Sequence, residues 1–315
     1  MKRIFVAFAL LAVLVPVAIA QADAVQEFSF QVKDIKSNGR FTVVFTSRTY
    51  DSTGGVPPPV RENYIRLPAG AKLIREVRRK KYQCDVDRLI DDLQANPEPG
   101  KLFANRVKNL KSLIRTLKKS KAASDRKALV NAERCQRSHI GQGTAQVDAR
   151  PLFDELIPSV FFMFLGKPNG AHSVATFQII GMPDETSDIV KKLPTTVQGT
   201  RVPFILNFVD DPTPDGKYGY KIVFPTGPIA GLNLVIAEVN AVNYGITVKK
   251  KKTTCRKRKH GRCVKKKVKV TKKFWFTQPT CPPSGKLSFQ AFYGYDDPQP
   301  DITKTIELAC PQFSR

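Results

Sequence analysis

Two hydrophobic periodicities divide this chain. Apolar and polar positions alternate through residues 27–32 (EFSFQV) and 40–45 (RFTVVF), with Ser37, Asn38 and Gly39 between them. A period of two turns one face of a strand toward a core, and Asn-Gly supplies tight-turn geometry, so these segments predict an opening hairpin. Residues 46–59, rich in Thr, Ser and Gly and ending in three consecutive prolines, predict a loop. Residues 64–67 and 73–77 predict short strands around the Pro68-Ala69-Gly70 turn.

The period then changes. Asp85 can cap a helix carrying Val86, Leu89, Ile90 and Leu93, and residues 96–100 (NPEPG) stop it. Phe103, Val107, Leu110, Ile114 and Leu117 recur at spacings of four, three, four and three. That is one stripe of a second helix, whose other face carries Arg106, Lys108, Lys111, Arg115, Lys118, Lys119 and Lys121. Ser124 is placed to cap a third helix through Arg134.

Beyond Cys135 the strand pattern returns. Residues 141–147, 160–165 (VFFMFL), 174–180 (VATFQII), 202–209, 218–224, 232–239, 287–293 and 302–308 predict strands, divided by Pro, Asp and Gly turns. Many short strands with such turns predict a mainly β chain. The expected fold is an antiparallel β-sandwich-like domain with a disulfide-bracketed helical insertion at residues 85–134.

The first residues add a compartment. Lys2 and Arg3 precede an apolar run to Ile19, and Ala18-Ile19-Ala20 has the small-x-small form of a cleavage site. Residues 1–22 are therefore expected to be a signal peptide, followed by a β-rich domain at 23–315 and secretion without a later spanning segment. All six cysteines lie after the leader. An even number in an exported chain points to disulfides. Nearest neighbours are expected to pair: Cys84–Cys135, Cys255–Cys263 and Cys281–Cys310.

Charge singles out one stretch. The chain carries a net +25, and residues 248–276 read VKKKKTTCRKRKHGRCVKKKVKVTKKFWF, without one acid. Cys255 and Cys263 bracket its middle, which predicts a β-hairpin clipped near its tip. Val268 and Val270 alternate with Lys267 and Lys269, so one face can pack while the other presents charge. The candidate polyanion-binding residues are Lys249, Lys250, Lys251, Lys252, Arg256, Lys257, Arg258, Lys259, Arg262, Lys265, Lys266, Lys267 and Lys269. Outside a cell such a surface meets anionic wall polymers, anionic lipid headgroups and nucleic acid. The basic face of the second helix could extend the same footprint.

Other chemistry finds little footing. There is no GxSxG elbow, no GxxxxGK[ST] loop and no GxGxxG motif. His139 and His172 read as turn or surface residues. The carboxylate pairs Asp154-Glu155, Asp184-Glu185 and Asp296-Asp297 sit in Pro/Gly-rich connections, where solvation explains them. Pro212 and Pro214 break the ligand pattern of a calcium loop at Asp210, Asp211 and Asp215. Cys255 and Cys263 flank His260, but their spacing fits no common zinc pattern and the surrounding Lys and Arg repel a cation. No metal and no cofactor are expected.

Several fragments together resemble a group of exported actinobacterial proteins without an assigned function: FTSRTYDSTGGVPPPV, YIRLPAGAKL, CQRSHIGQGTAQVDARP, GMPDETSDIV and YGYKIVFPTGPIAGL. The shared features are a cysteine followed by a basic, Gly-rich turn and a GTA strand, here residues 135–145, and a cysteine near the end, here Cys310. The resemblance implies an exported, disulfide-bonded β protein and transfers no catalytic residue. The functional expectation is a non-enzymatic, envelope-associated protein that binds anionic polymers through residues 248–276. Two alternatives stand beside it: a hydrolase of a wall or matrix polymer that docks substrate on the basic segment, and a structural surface protein with no specific ligand.

Overall fold

In chain order, a long hairpin opens the computed structural model: β1 (Ala24–Lys36) and β2 (Arg40–Asp51). β3 (Val60–Pro68) and the short β4 (Lys72–Leu73) follow. A 3-10 turn (Lys80–Tyr82) then leads into α1 (Val86–Ala95), α2 (Arg106–Lys119) and α3 (Ala123–Ser138). Next come β5 (His139–Asp148), β6 (Ile157–Gly166) and β7 (Ser173–Pro183). The short helices α4 (Asp188–Lys192) and α5 (Thr195–Gln198) precede β8 (Val202–Asp210), β9 (Tyr218–Phe224) and β10 (Val235–Asn243). The basic segment contributes β11 (Ile246–Lys252), β12 (Arg258–Lys259), β13 (Arg262–Cys263), β14 (Lys267–Lys273) and β15 (Phe276–Thr277). β16 (Lys286–Tyr295) and β17 (Ile302–Ala309) complete the chain. The structure describes residues 24–36, 40–54, 58–74, 76–95, 106–149, 153–226, 235–243, 246–252, 258–259, 262–263, 267–273, 276–277, 282–296 and 299–309. The expected leader at 1–22 lies outside them.

Eleven of these strands form one antiparallel sheet in the order β1-β2-β10-β5-β6-β7-β8-β9-β3-β16-β17. The sheet wraps onto its own inner face until it is nearly closed. Phe45 of β2 stacks on Phe224 of β9 across the interior, with ring centroids 6.5 Å apart. Where the two ends meet, side chains tie them. Gln26 of β1 donates to the Tyr295 hydroxyl of β16 at 2.6 Å, and Ser47 and Tyr293 share a hydrogen bond at 3.0 Å. The mainly β, antiparallel architecture with its bracketed helices is as the alternation indicates. One continuous sheet supplies both packed layers of the sandwich-like body.

The inner face is filled by Ile65, Leu67, Phe161, Met163, Leu165, Phe177, Leu206, Phe208, Phe289 and Ala291. A second core lies on the outer face of β6 and β7, where Val160, Phe162, Phe164, Ile180 and Met182 meet Leu89, Leu93, Leu113, Leu117 and Ala132 of the helices. β6 is thus covered on both sides, which is why its sequence is an unbroken apolar run rather than an alternating one. Each such side chain removed from water contributes about 1.5–3 kcal/mol.

The base of the insertion is fastened three ways. Cys84 and Cys135 form a disulfide. Buried Asn131 accepts from the Asp85 amide at 3.1 Å and donates to its carbonyl at 2.8 Å. The Cys84 amide donates to Leu165 of β6, and the Val86 amide to the Gln178 side chain of β7. Asp85 caps α1 through the Arg88 amide, as the sequence indicates.

Local expectations differ in three places. β2 runs on to Asp51, through the stretch read as the start of a loop, because Ser47 and Thr49 turn inward to partners at the closure. The strand expected at 73–77 ends at Leu73, and residues 76–79 turn instead. α3 starts after Ala122, without a side-chain cap from Ser124, and runs four residues past Arg134.

Candidate polyanion-binding surface

The antiparallel ladder sorts every connection to one of two rims. β10 ends beside the start of β5 (Asn243↔Gly141), and β5 starts beside the end of β6 (His139↔Phe164). The same order carries the end of β8 to the start of β9, and that start to the end of β3 (Tyr218↔Pro68). The helical insertion leaves β3 and returns at β5, and the basic segment follows β10. Both excursions therefore depart from one rim.

The opposite rim carries the other charge. Its described connections hold Asp154, Glu155, Asp184, Glu185, Asp188, Asp296 and Asp301 against Lys191, Lys192 and Arg201. The basic rim holds residues 246–277 and the helices.

β11 and β14 pair antiparallel as the sequence predicts, with Lys252↔Lys267, Lys251↔Val268, Lys250↔Lys269 and Lys249↔Val270. Opposed residues share a face of a ribbon, and faces alternate along it. Positions 250, 252, 267 and 269 therefore fall together on one face of the outer half of the ribbon, all four lysine, and the same face continues inward through Val248↔Thr271 and Ile246↔Lys273. The valines at 268 and 270 fall on the other face, opposite Lys251 and Lys249. Like charges directly opposed destabilise a strand pair by roughly 0.2–1 kcal/mol each. An anion between them reverses that sign. β12 and β13 pair through Arg258↔Cys263 and Lys259↔Arg262 nearer the tip. Arg256, Lys257, Lys265 and Lys266 lie outside the described residues. So do Cys255, Cys281 and Cys310, and with them the expected bridges Cys255–Cys263 and Cys281–Cys310.

Two packings hold the ribbon to the body. β11 lies against α3. β15 pairs with β4 through Phe276↔Leu73 and Thr277↔Lys72. α2 packs on α3 and exposes Lys111, Arg115, Lys118 and Lys119. The basic helices and the basic ribbon thus stand side by side, a juxtaposition that the linear sequence leaves open.

Arg78, Arg79, Lys80 and Lys81 were not among the sequence candidates. All four are exposed, on the turn between β4 and α1. Four consecutive basic residues are legible in the sequence; their place on α3, shortly after β4, which pairs with β15, is not.

The remaining candidates are engaged in local structure. Asp211 pairs with Arg66 at 3.3 Å and with Lys221 at 3.7 Å. Hydrogen bonds from the Thr213 hydroxyl and the Lys217 amide hold the Asp215 carboxyl below its usual range. Asp184 accepts from the amide and hydroxyl of Thr186. His139 packs against the rings of Phe162 and Phe164, and His172 is exposed. Among the described residues no three His, Cys, Asp or Glu side chains gather as metal ligands. No helix among them is long and apolar enough to cross a membrane. Comparison with family models, with curated proteins and with solved structures finds no match to this chain.

Proposed function

We propose that this is an exported, non-enzymatic protein of the cell envelope that binds anionic polymers through its basic rim. The observation that carries the reading is the pair of directly opposed Lys–Lys positions, Lys250↔Lys269 and Lys252↔Lys267, on one face of the outer half of the β11–β14 ribbon. Evolutionary cost aside, such a face is electrostatically unfavourable alone and favourable against a polyanion. The exposed lysines and arginines of α2 widen it. The leader-like residues 1–22 and the Cys84–Cys135 disulfide support an oxidising, exported setting.

The test is a salt titration of the purified, oxidised protein with isolated cell envelopes, followed by sedimentation. Binding should fall steeply as ionic strength rises. Replacing Lys250, Lys252, Lys267 and Lys269 with glutamine should reduce the slope of log affinity against log salt by about 3, at roughly 0.7–0.9 per lost contact. Sedimentation of the quadruple variant with the wild-type slope would overturn the proposal.

A further inference from the structure

The 3-10 turn at Lys80–Tyr82 is a second basic element packed on the helix that the ribbon touches. Its backbone is tied by successive turns, with Val77 N donating to Ile74 O, Arg79 N to Glu76 O, Tyr82 N to Arg79 O and Gln83 N to Lys80 O. Tyr82 is buried and anchors the turn, while Lys81 lies over its ring, 5.1 Å from the centroid. Arg78, Arg79 and Lys80 remain exposed, and none of them makes an ion pair among the described residues. Two contacts fix where this turn sits. It packs on α3, the helix that also lies against β11. It also follows β4, whose Leu73 pairs with Phe276 at the foot of the ribbon. Basic elements distant in sequence thus flank one helix.

We propose that Arg78, Arg79 and Lys80 form, with the β11–β14 ribbon, one continuous basic track that takes a linear polyphosphate-type polyanion lengthwise. This deepens the polymer-binding reading above and rests on it. The ribbon's seven-residue strands span about 23 Å, so a small anion held there cannot also reach the turn beside α3. A chain that carries charge along its backbone can contact both. Because the turn is already held by its own hydrogen bonds, little ordering entropy opposes that contact. A lipid surface fits less well. Interfacial binding combines basic charge with inserted apolar side chains. Among the described residues the exposed large apolar side chains are Val130, Leu156 and Ile236. Ile236 pairs with Val147 and Leu156 adjoins Ile157 near the acidic rim, so of these three only Val130 lies on the basic side.

The experiment compares the whole protein with R78Q/R79Q/K80Q, using tripolyphosphate and long-chain linear polyphosphate as probes over a range of salt. The variant should keep wild-type affinity for tripolyphosphate. With the long chain, its slope of log affinity against log salt should fall by about 2, for three lost contacts at roughly 0.7 each. Between 50 and 200 mM salt that difference is roughly a 16-fold divergence in affinity. R78K/R79K should retain the wild-type slope; if it behaves like the glutamine variant, the loss comes from packing and the track is overturned. A glutamine variant that binds the long chain with the wild-type slope also overturns the track, while leaving the ribbon's role intact. Failure of the wild type to bind either probe overturns the polymer-binding reading beneath it. Tighter wild-type binding to phosphatidylglycerol vesicles than to the long chain assigns the surface to lipid and overturns the polymer.

Discussion

Replacing Tyr293 with Phe should change how stability depends on alkaline pH. Tyr293 is 3% exposed on β16, where the two ends of the sheet meet, and its hydroxyl bonds to Ser47 of β2 at 3.0 Å. Burial disfavours the phenolate and pushes its pKa up to about 12, against the lowering effect of the Ser47 bond. An unfolded tyrosine titrates near 10. Between those values the folded state holds the proton more tightly than the unfolded state. The resulting stability is therefore fully present below about pH 10 and is lost as pH rises toward 12. At 1.36 kcal/mol per pKa unit, the group contributes about 2.7 kcal/mol in all, of which about 1.4 kcal/mol is gone by pH 11. Phe keeps the ring and removes the hydroxyl, which costs about 1 kcal/mol at neutral pH for the lost hydrogen bond. The two stability curves should accordingly cross. The wild type should lead by about 1 kcal/mol at pH 8, and Tyr293→Phe should draw level or lead slightly at pH 11. Urea unfolding followed by circular dichroism at pH 8, 9.5 and 11 measures this. Tyr295, also raised by burial, is present in both proteins and cancels. A gap between the two proteins that stays constant from pH 8 to 11 would refute the reasoning.

Two further perturbations test what holds the rim in place. The double change Cys84→Ala/Cys135→Ala opens a closure of 51 residues; in the loop-entropy model it should cost on the order of 4 kcal/mol in urea unfolding, and a loss below about 1 kcal/mol would contradict that model here. Gly143→Ala puts a methyl group onto the Asn240 carbonyl oxygen and the Phe161 ring; the overpacking should lower stability by about 1–3 kcal/mol, and a melting temperature equal to wild type would show that β5 and β10 can move apart.

What the sequence disclosed and what it withheld follow from the range of the forces involved. Local periodicity located the strands and helices, because burial of one face is written every two or every three to four residues. It failed at residues 46–51, where Ser47 and Thr49 point inward to polar partners. Tyr293, the partner of Ser47, is supplied by the closure of the sheet, a contact spanning 246 residues, while Gln26, the partner of Thr49 across the β1–β2 hairpin, donates in turn to Tyr295 at the closure. An inward polar residue looks like a loop residue until that partner is known. The Cys84–Cys135 bridge was legible because the helical block separates its ends cleanly. The ribbon was legible because fifteen like charges stand together between Lys249 and Lys273. The packing of the turn that carries Arg78, Arg79 and Lys80 on α3, the helix that β11 also touches, was not, since both contacts are made across long stretches of chain.

The antiparallel topology also decides how the net charge acts. Strands such as the nine-residue β8 separate the rims by about 30 Å. The Debye length at physiological salt is about 8 Å. The acids at one rim are therefore screened from the bases at the other and do not neutralise them. A polyanion approaching the molecule responds to the local field of the ribbon and its neighbouring helices, in which cations prevail, rather than to the net +25 of the whole chain. The same separation gives binding a direction: a protein held by its basic rim presents Asp154, Glu155, Asp184 and Asp296 away from an anionic surface, where they would otherwise be repelled. The acidic rim thus favours one orientation on such a surface without adding any contact of its own.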